Sequence, residues 1–324
     1  MNLSEILKNQ QTVPESFVAL PSQCPLCGSG NELQDVVTSH VFGAPQNRKS
    51  AFFHCHACDV RYLFPGLTPE EEICFYAAEF EGFMASRSGL AGGWHQAEEH
   101  IRANEPTRNR RMKYITPHLH SARDLLEIGC SSGFMLHPLA ERGLNCVAIE
   151  PSGVFGDYVR SQGIATFPSL EVLLENEGRC QFDLIMHFFV LEHISSPLEF
   201  LNSQLASLRP GGKLIFEIPN VADALYTVYD IPAFERFYWS IAHPWYFSEA
   251  SLRYLLNQIG YTYEILLDQR YDLSNHMTWA LDGRPGGIGR YKDNLGSEVE
   301  EAYKQALIQS GNSDTLVGII TKSA

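Results

Sequence analysis

Strand and helix signals alternate from Asp124 to Ile218, which predicts an α/β protein with a doubly wound, mostly parallel sheet. Two separated C-x2-C pairs ahead of that region predict a small appended unit. A third observation, a glycine turn between the first strand and the first helix of the alternation, marks where a ligand belongs.

The 324 residues can bury a sizeable core and leave room for one large domain with appendages. Hydrophobic residues make up 44% and charged residues 19%, an ordinary globular balance. The formal net charge of -14 argues against a protein that clamps bare nucleic acid, since neutralising phosphates takes clustered Lys and Arg and no basic stripe stands out. No run of about 18 apolar residues occurs, and Met1 to Gln11 is too polar for a signal peptide. The expectation is a cytoplasmic protein with no membrane partner.

The first unit, residues 1–66, is organised by CPLCG at Cys24 and Cys27 and CHAC at Cys55 and Cys58. Two such knuckles can offer four thiolates tetrahedrally to one zinc ion, with Pro25 and Gly28 supplying the tight turn. Leu33 to Val41 and Ser50 to His54 read as short strands, giving a ribbon too small to hold together without its metal. A redox dithiol or an iron–sulfur site are the alternatives. His54 and His56 flank a ligand, but four cysteines already close the site. A closed four-thiolate site is expected to be structural.

Residues 67–113 read as a helical lid or linker. Thr68-Pro69-Glu70-Glu71 has the pattern of a capping box, and Ile73, Tyr76, Ala77 and Phe80 follow on one helical face. Gly82 to Gly93 is rich in glycine and serine, and reads either as a lid over the ligand site or as a plain linker. His95 to His120 reads as a helix leading into the first strand.

From residue 114 the main domain begins. Asp124 to Cys130 suits a buried parallel strand, Gly129 and Gly133 bracket the turn, Phe134 to Arg142 has helical spacing, and a second strand ends at Glu150. That acidic residue lies about 20 residues beyond the turn, the offset at which a carboxylate can reach a ribose diol. A dinucleotide pyrophosphate needs G-x-G-x-x-G, whereas here the run is Gly129, Cys130, Ser131, Ser132, Gly133. Glu127, just before the turn, would repel a phosphate and suit an ammonium. An adenosine carrying an amino-acid tail fits these charges, and S-adenosylmethionine is such a ligand. Helices at Gly153 to Gln162 and Ser169 to Asn176 then alternate with strands at Ile164 to Phe167 and Phe182 to His187. Ser196-Pro197-Leu198-Glu199 reads as a capping box for a helix with Leu198, Leu201, Leu205 and Leu208 on one face. Arg209 to Gly212 is expected to stop it before a strand at Lys213 to Ile218.

The turn resembles motif I of the class I S-adenosylmethionine-dependent methyltransferases, with Ser131 departing at the second glycine. FDLIMHFFVLEHI, LRPGGKLIFEIPN and HPWYFSEASLRYLLNQIGY resemble the fourth-, fifth- and sixth-strand segments of that family, in order. The resemblance implies a seven-stranded, Rossmann-like sheet in which Thr315 to Lys322 is the seventh strand, inserted antiparallel. It implies a cofactor site drawn from Glu127, Gly129, Cys130, Gly133, Phe134, Glu150, Pro151, Phe167, Ser169, Leu170, His187 and Phe188. Residues 272–314 form an insertion, read either as a wall of the acceptor pocket or as a packing appendage. In it Ser297 to Glu300 reads as a capping box starting a helix.

A zinc-binding N-terminal segment joined to this core is similar to nucleotide-sugar methyltransferases and to related enzymes of surface-polysaccharide and natural-product pathways. The implied substrate is a small polar acceptor, a sugar or nucleotide-linked sugar. The sugar C-methyltransferases have an acidic residue before the histidine that aligns with His243, where this chain has Ala242, so O- or N-methylation is expected at least as much as C-methylation. His243 and His193 are the candidate acid–base groups, with a cap or loop-fixing role as the alternative for each. Glu192 is a candidate ligand for a divalent ion. The other readings are an RNA methyltransferase using the zinc unit for recognition, and a non-catalytic binding module.

Overall fold

The apolar runs of the second half assemble into one sheet. The computed structural model describes residues 20–45, 48–75, 97–177 and 181–323. Met1 to Gln11, Gly82 to Gly93, and Tyr76, Ala77 and Phe80 of the expected helical face lie outside them.

The large sheet contains β4 (Asp124–Ile128), β5 (Asn145–Ile149), β6 (Ala165–Phe167), β7 (Phe182–Phe188), β8 (Leu208–Pro219), β10 (Thr262–Asp268) and β11 (Thr315–Thr321). Its order is β10-β11-β8-β7-β4-β5-β6. The β4, β5, β6, β7 and β8 pairings are parallel, and β11 is antiparallel to both of its neighbours, β8 and β10. The order reverses between β4 and β7, which makes the carboxyl ends of these two strands the place for a ligand. This is the doubly wound, Rossmann-like sheet expected from the sequence, including its antiparallel seventh strand.

The small sheet has the order β1-β2-β3-β9, where β1 is Gln34–Thr38, β2 is Ala51–Cys55, β3 is Arg61–Phe64 and β9 is Trp245–Tyr246. Its fourth strand therefore comes from the second half of the chain. Arg61 pairs with Tyr246 and Tyr62 with Trp245. Leu63 N donates to Pro244 O (2.9 Å), Phe42 N to Trp239 O (2.7 Å) and Ile241 N to Phe42 O (3.0 Å). Segment 239–246 is thus clamped on two sides by the cysteine-bearing unit.

Ten described helices carry the argument in chain order. They are α1 (Pro69–Cys74), α2 (Ala97–Ala103), α3 (Glu105–Leu119), α4 (Leu136–Ala140), α5 (Gly153–Ser161), α6 (Leu170–Glu177), α7 (Pro197–Ala206), α8 (Glu249–Asn257), α9 (Leu273–Asp282) and α10 (Ser297–Ser310). The stretch expected as one helix, His95 to His120, is broken at Asn104, because Pro106 near the start of α3 has no N–H to continue α2. The Thr68 capping box forms: its hydroxyl accepts from Glu71 N and the Glu71 side chain accepts from Thr68 N.

Two expected caps do not form. Ser196 makes no side-chain bond at the start of α7. The residue before α10 is Gly296, again without a side-chain cap. Glu300 instead accepts from Leu273 N (2.7 Å) and Ser274 Oγ (2.6 Å), tying α10 to the start of α9. The Arg209-Pro210-Gly211-Gly212 run lies inside β8, and α7 ends before it at Ala206.

Residues on opposite faces of β4 and β7 divide the core in two. Leu126, Ile128, Ile185, Leu201 and Leu205 join a cluster that extends through Leu252, Leu255 and Leu256 of α8 to Phe53, Val60 and Tyr62 of the ribbon. Leu125, Leu184, Met186 and Phe188 pack on the other face with Ile115 and Phe134. Each fully buried aliphatic or aromatic side chain contributes roughly 1.5–3 kcal/mol, so the ribbon is attached to the core by packing as well as by β9. Gly318 is required in β11, since a Cβ there would fall 2.2 Å from the Phe216 ring.

Candidate functional site

The backbone between β4 and α4 follows from its glycines. Gly129 and Gly133 hold φ +72° and +73°, and Ser131 holds φ 52°. Left-handed backbone at a non-glycine residue costs on the order of 1–3 kcal/mol and concentrates at functional sites. Ser131 is the residue standing where motif I has its second glycine. Its N–H donates to Glu150 Oε2 (2.6 Å), and Glu150 Oε1 accepts from Ser152 N (2.9 Å). The carboxylate at the end of β5 is thereby fixed, with one backbone donor on each oxygen. A Cβ at Gly129 would lie 2.8 Å from Val190 Cγ2, so the turn after β7 presses directly on the glycine turn.

A charge cluster lies on the Phe188 face of the sheet. Glu127 is buried, with Oε2 lacking any hydrogen-bond partner among the described residues, as does the buried Ser131 Oγ. Burial pushes the Glu127 carboxyl well above its ordinary value, Arg111 pulls it back, and Glu150 adds to the rise. Burial likewise raises Glu150, against the Ser152 and Ser131 N–H groups. Glu217, fully buried on β8, accepts from Arg110 Nη1 (2.7 Å) and Nη2 (2.9 Å) and from Arg111 Nε (2.9 Å). Burial works against its charge, but Arg111 and Arg110 outweigh it and hold the carboxyl below its usual value. Arg110 also pairs with Asp268. From α2, His100 Nδ1 lies 2.9 Å from Ser132 Oγ, with its ring 5.8 Å from that of Phe134 and 5.3 Å from Phe155.

At the carboxyl end of β7, residues Leu191–His193 form a single 3-10 turn. His193 Nδ1 lies 2.7 Å from Ala242 O. A carbonyl can only accept, so Nδ1 carries a proton and donates it to Ala242 O. Trp245 Nε1 donates back to Ile194 O (3.0 Å). These two bonds lock the β7 turn to the segment clamped by the ribbon. The rings of His193 and His243 meet edge to face, 4.6 Å between centroids. One ligand atom each of Glu192, His193 and His243 lie within 4.8 Å of one another, and Glu192 is buried.

The four cysteines of the ribbon also come together. Cys24 Sγ and Cys58 Sγ are 3.7 Å apart, Cys27 Sγ and Cys55 Sγ 3.6 Å, and all four lie within 4.8 Å. A tetrahedron of thiolates about 2.3 Å from a zinc ion has edges of roughly 3.8 Å, so the donor set and spacing fit zinc. His54 Nε2 holds Asp59 (2.8 Å) and His56 Nε2 holds Asp35 (2.6 Å), so both imidazoles are engaged with carboxylates.

Of the other expected site residues, Cys130 is buried within the turn and Phe134 follows it. Pro151 is exposed beside Glu150. Phe167 ends β6 and its carbonyl accepts from Glu150 N (2.9 Å). Ser169 Oγ accepts from Val172 N (3.3 Å), and Leu170 is buried at the start of α6. Phe188 faces Arg111. His187 points to the opposite face, stacked on Phe216 at 5.1 Å, where burial lowers its pKa to about 3. It is remote in direction from Glu127 and Glu150.

Sequence reasoning missed Arg111, His100 and the ties across 242–246. The adjacent Arg110 and Arg111, placed just ahead of the first strand in an acidic chain, were the one available signal.

Residues 94–265, just over half of the chain, match the family model described as a methyltransferase domain. Among curated proteins, the chain is 33% identical over 97 residues to the ubiquinone biosynthesis O-methyltransferase of Caulobacter sp. (strain K31), covering 28% of this chain and 38% of that protein. It is 32% identical over 114 residues to the tRNA U34 carboxymethyltransferase of Pseudoalteromonas translucida (strain TAC 125), covering 32% of this chain and 34% of that one. The matches thus span little more than a third of these relatives. Among solved structures, a SAM dependent methyltransferase from Archaeoglobus fulgidus superposes with a TM-score of 0.48 at 17% identity, covering 69% of this chain and 97% of that one.

Proposed function

We propose, from the premise that this chain belongs to the methyltransferase-domain family, that it catalyses methyl transfer from S-adenosylmethionine to a hydroxyl of a small polar acceptor. The cofactor supplies an electrophilic methyl group on a sulfonium centre. The observation that carries the reading is the Glu127 Oε2 atom, buried and without a hydrogen-bond partner among the described residues, beside a glycine turn that admits no side chain at residue 129. In this reading Glu127 takes the ammonium of the amino-acid end. Glu150 uses its remaining lone pairs for the ribose, and Gly129, Cys130, Gly133 and Phe134 flank the tail. Pro151, Phe167, Ser169 and Leu170 surround the adenine, and Phe188 closes the tail end. His187 has no place in this set.

An acceptor hydroxyl must lose its proton as its oxygen bonds to carbon. His243 takes that proton, and His193, oriented through Nδ1 by Ala242 O, assists. Positioning supplies much of the remaining acceleration. The acceptor we favour is a sugar or nucleotide-linked sugar, on the resemblance of a zinc-bearing segment joined to this core. A net charge of -14 counts against RNA. Zinc held by Cys24, Cys27, Cys55 and Cys58 is structural in this reading.

A second reading rests on the closeness of Glu192, His193 and His243. Those three could hold a divalent cation that lowers the pKa of the acceptor hydroxyl directly. The test is turnover of S-adenosylmethionine with pooled hydroxylated acceptors, nucleotide sugars included, before and after magnesium is exchanged out of the buffer. Absence of both S-adenosylhomocysteine binding and turnover would overturn the function. Turnover lost with magnesium and restored by it would favour the second reading over the base.

A further inference from the structure

Arg110 and Arg111 lie deep, 12% and 8% exposed at the side chain, and both are bonded to Glu217. Arg270 is placed differently. It lies two residues beyond β10, and because β10 and β8 are both antiparallel to β11, it emerges at the same edge of the sheet as the carboxyl end of β7. Its guanidinium carbon is 3.9 Å from the centroid of Phe189, the first residue past β7, and 4.9 Å from that of Tyr271, and its side chain keeps 26% exposure. Phe189 holds φ +58°, a left-handed conformation that is costly away from glycine and concentrates at functional sites. It stands in the chain between Phe188 and Val190, whose side chain presses on the glycine turn, and just ahead of the turn that carries His193.

The Arg270 side chain makes one hydrogen bond among the described residues, from Nε to Asp314 Oδ1, and at 3.4 Å it is a long one. Asp314 is satisfied without it. That buried carboxylate accepts from Tyr271 N (2.9 Å), Arg270 N (3.1 Å), Gln269 Nε2 (3.0 Å) and Thr315 Oγ1 (2.6 Å). These bonds close the base of the 272–314 insertion through the Arg270 backbone and leave the Nη1 and Nη2 donors outside the network. A planar fork held against aromatic rings and open to solvent is suited to a carboxylate or phosphate, which it can meet with two parallel N–H groups. In a chain of net charge -14 an anion is held only where cations are placed for it. Resting on the proposed methyl-transfer reading, we propose that Arg270 binds an oxyanion of the acceptor, which makes the acceptor an anionic hydroxylated molecule, a phosphate-bearing sugar or a sugar acid. The insertion is then a wall of the acceptor pocket, with this arginine at its foot.

The anion site can be tested without knowing the acceptor. The full chain, saturated with S-adenosylhomocysteine, is titrated calorimetrically with inorganic pyrophosphate and with malonate, the first reporting a phosphate source and the second a carboxylate. The wild type should bind at least one of them. Arg270→Gln should weaken that binding about tenfold or more and Arg270→Lys less, with S-adenosylhomocysteine affinity and the unfolding midpoint unchanged. In turnover with acceptor pools sorted by charge, methylation should fall in the phosphorylated or uronic-acid pool, and Arg270→Gln should raise the acceptor KM while leaving that of S-adenosylmethionine alone. Binding of neither anion by the wild type, equal binding by Arg270→Gln, or methylation confined to neutral sugars would overturn the inference and leave methyl transfer standing. Should Arg270→Gln fail to fold, the wild-type titrations and the sorted pools still decide. A wild type that neither binds S-adenosylhomocysteine nor turns over any pool would overturn both readings.

Discussion

Among the described residues, two compact clusters of side chains that can ligate a metal differ in how they are closed. The ribbon's four sulfurs come from two knuckles of one small unit and sit at the spacing of a single tetrahedron, which leaves no open position. Glu192, His193 and His243 come from two stretches far apart in sequence and present three groups at the edge of the sheet. The first arrangement suits a staple, the second suits chemistry on a visiting molecule. Yet they are not independent. Segment 239–246 pairs with the ribbon as β9 and carries both His243 and the carbonyl that orients His193. The cysteine-bearing unit thus holds the segment that would form one wall of the proposed acceptor site.

The strongest challenge to that division is to remove the staple. Cys55→Ser should lose zinc by elemental analysis and lower unfolding stability by on the order of 3 kcal/mol or more. Because β9 hangs on β3, it should also slow methyl transfer while S-adenosylhomocysteine affinity, set by the glycine turn, changes little. Full activity in a zinc-free protein would separate the two regions again.

Acting on the other cluster should give the converse. His243→Asn should slow the chemical step by ~100-fold in single turnover, with zinc content and cofactor affinity unaltered; near wild-type rates for both it and His193→Gln would remove the histidines from the chemistry. The cofactor half of the edge should respond to neither change but to Glu150→Ala. Losing a buried carboxylate from a diol costs about 1.5–3 kcal/mol, read as a tenfold or larger rise in Kd.

The smallest effect is in pH. Glu127 is raised chiefly by burial, so the free protein keeps its proton to higher pH than an ordinary carboxyl does. An ammonium demands the ionised form. Binding should therefore release up to about one proton and tighten as pH rises through the raised value, then level off. The same shift means the free fold loses stability as pH rises above the unfolded carboxyl range. Calorimetry in two buffers of different ionisation enthalpy reads the released proton, and a buffer-independent heat would show that Glu127 is not the group.

The sheet was legible because its strands are apolar runs whose identity does not depend on a partner. Phe182 to Phe188 would be buried in any parallel sheet. β9 was not legible, because a two-residue strand exists only through its partner, here the far edge of β3. Ser196 and Ser297 had the residues of capping boxes, but α7 forms without one, and Glu300 is drawn to Leu273 N and Ser274 Oγ. In the candidate site, C-x2-C spacing is dictated by metal geometry and could be read directly. Arg111 could not be recognised as buried, since an arginine on a helix of mixed polarity reads the same whether it faces water or Glu217.

The β3–β9 pairing also sets an order of events at the ribosome. Residues 61–64 emerge about 180 residues before residues 245–246, which at 5–20 residues per second is roughly 10–40 s. Throughout that interval the outer edge of β3 has no partner strand, and an open edge is a template for pairing with another chain. Arg61 places a charge on that edge, and zinc capture by the knuckles would hold the nascent ribbon in register until β9 arrives. If the four cysteines hold zinc as proposed, its supply during synthesis matters to this open edge as well as to the finished fold.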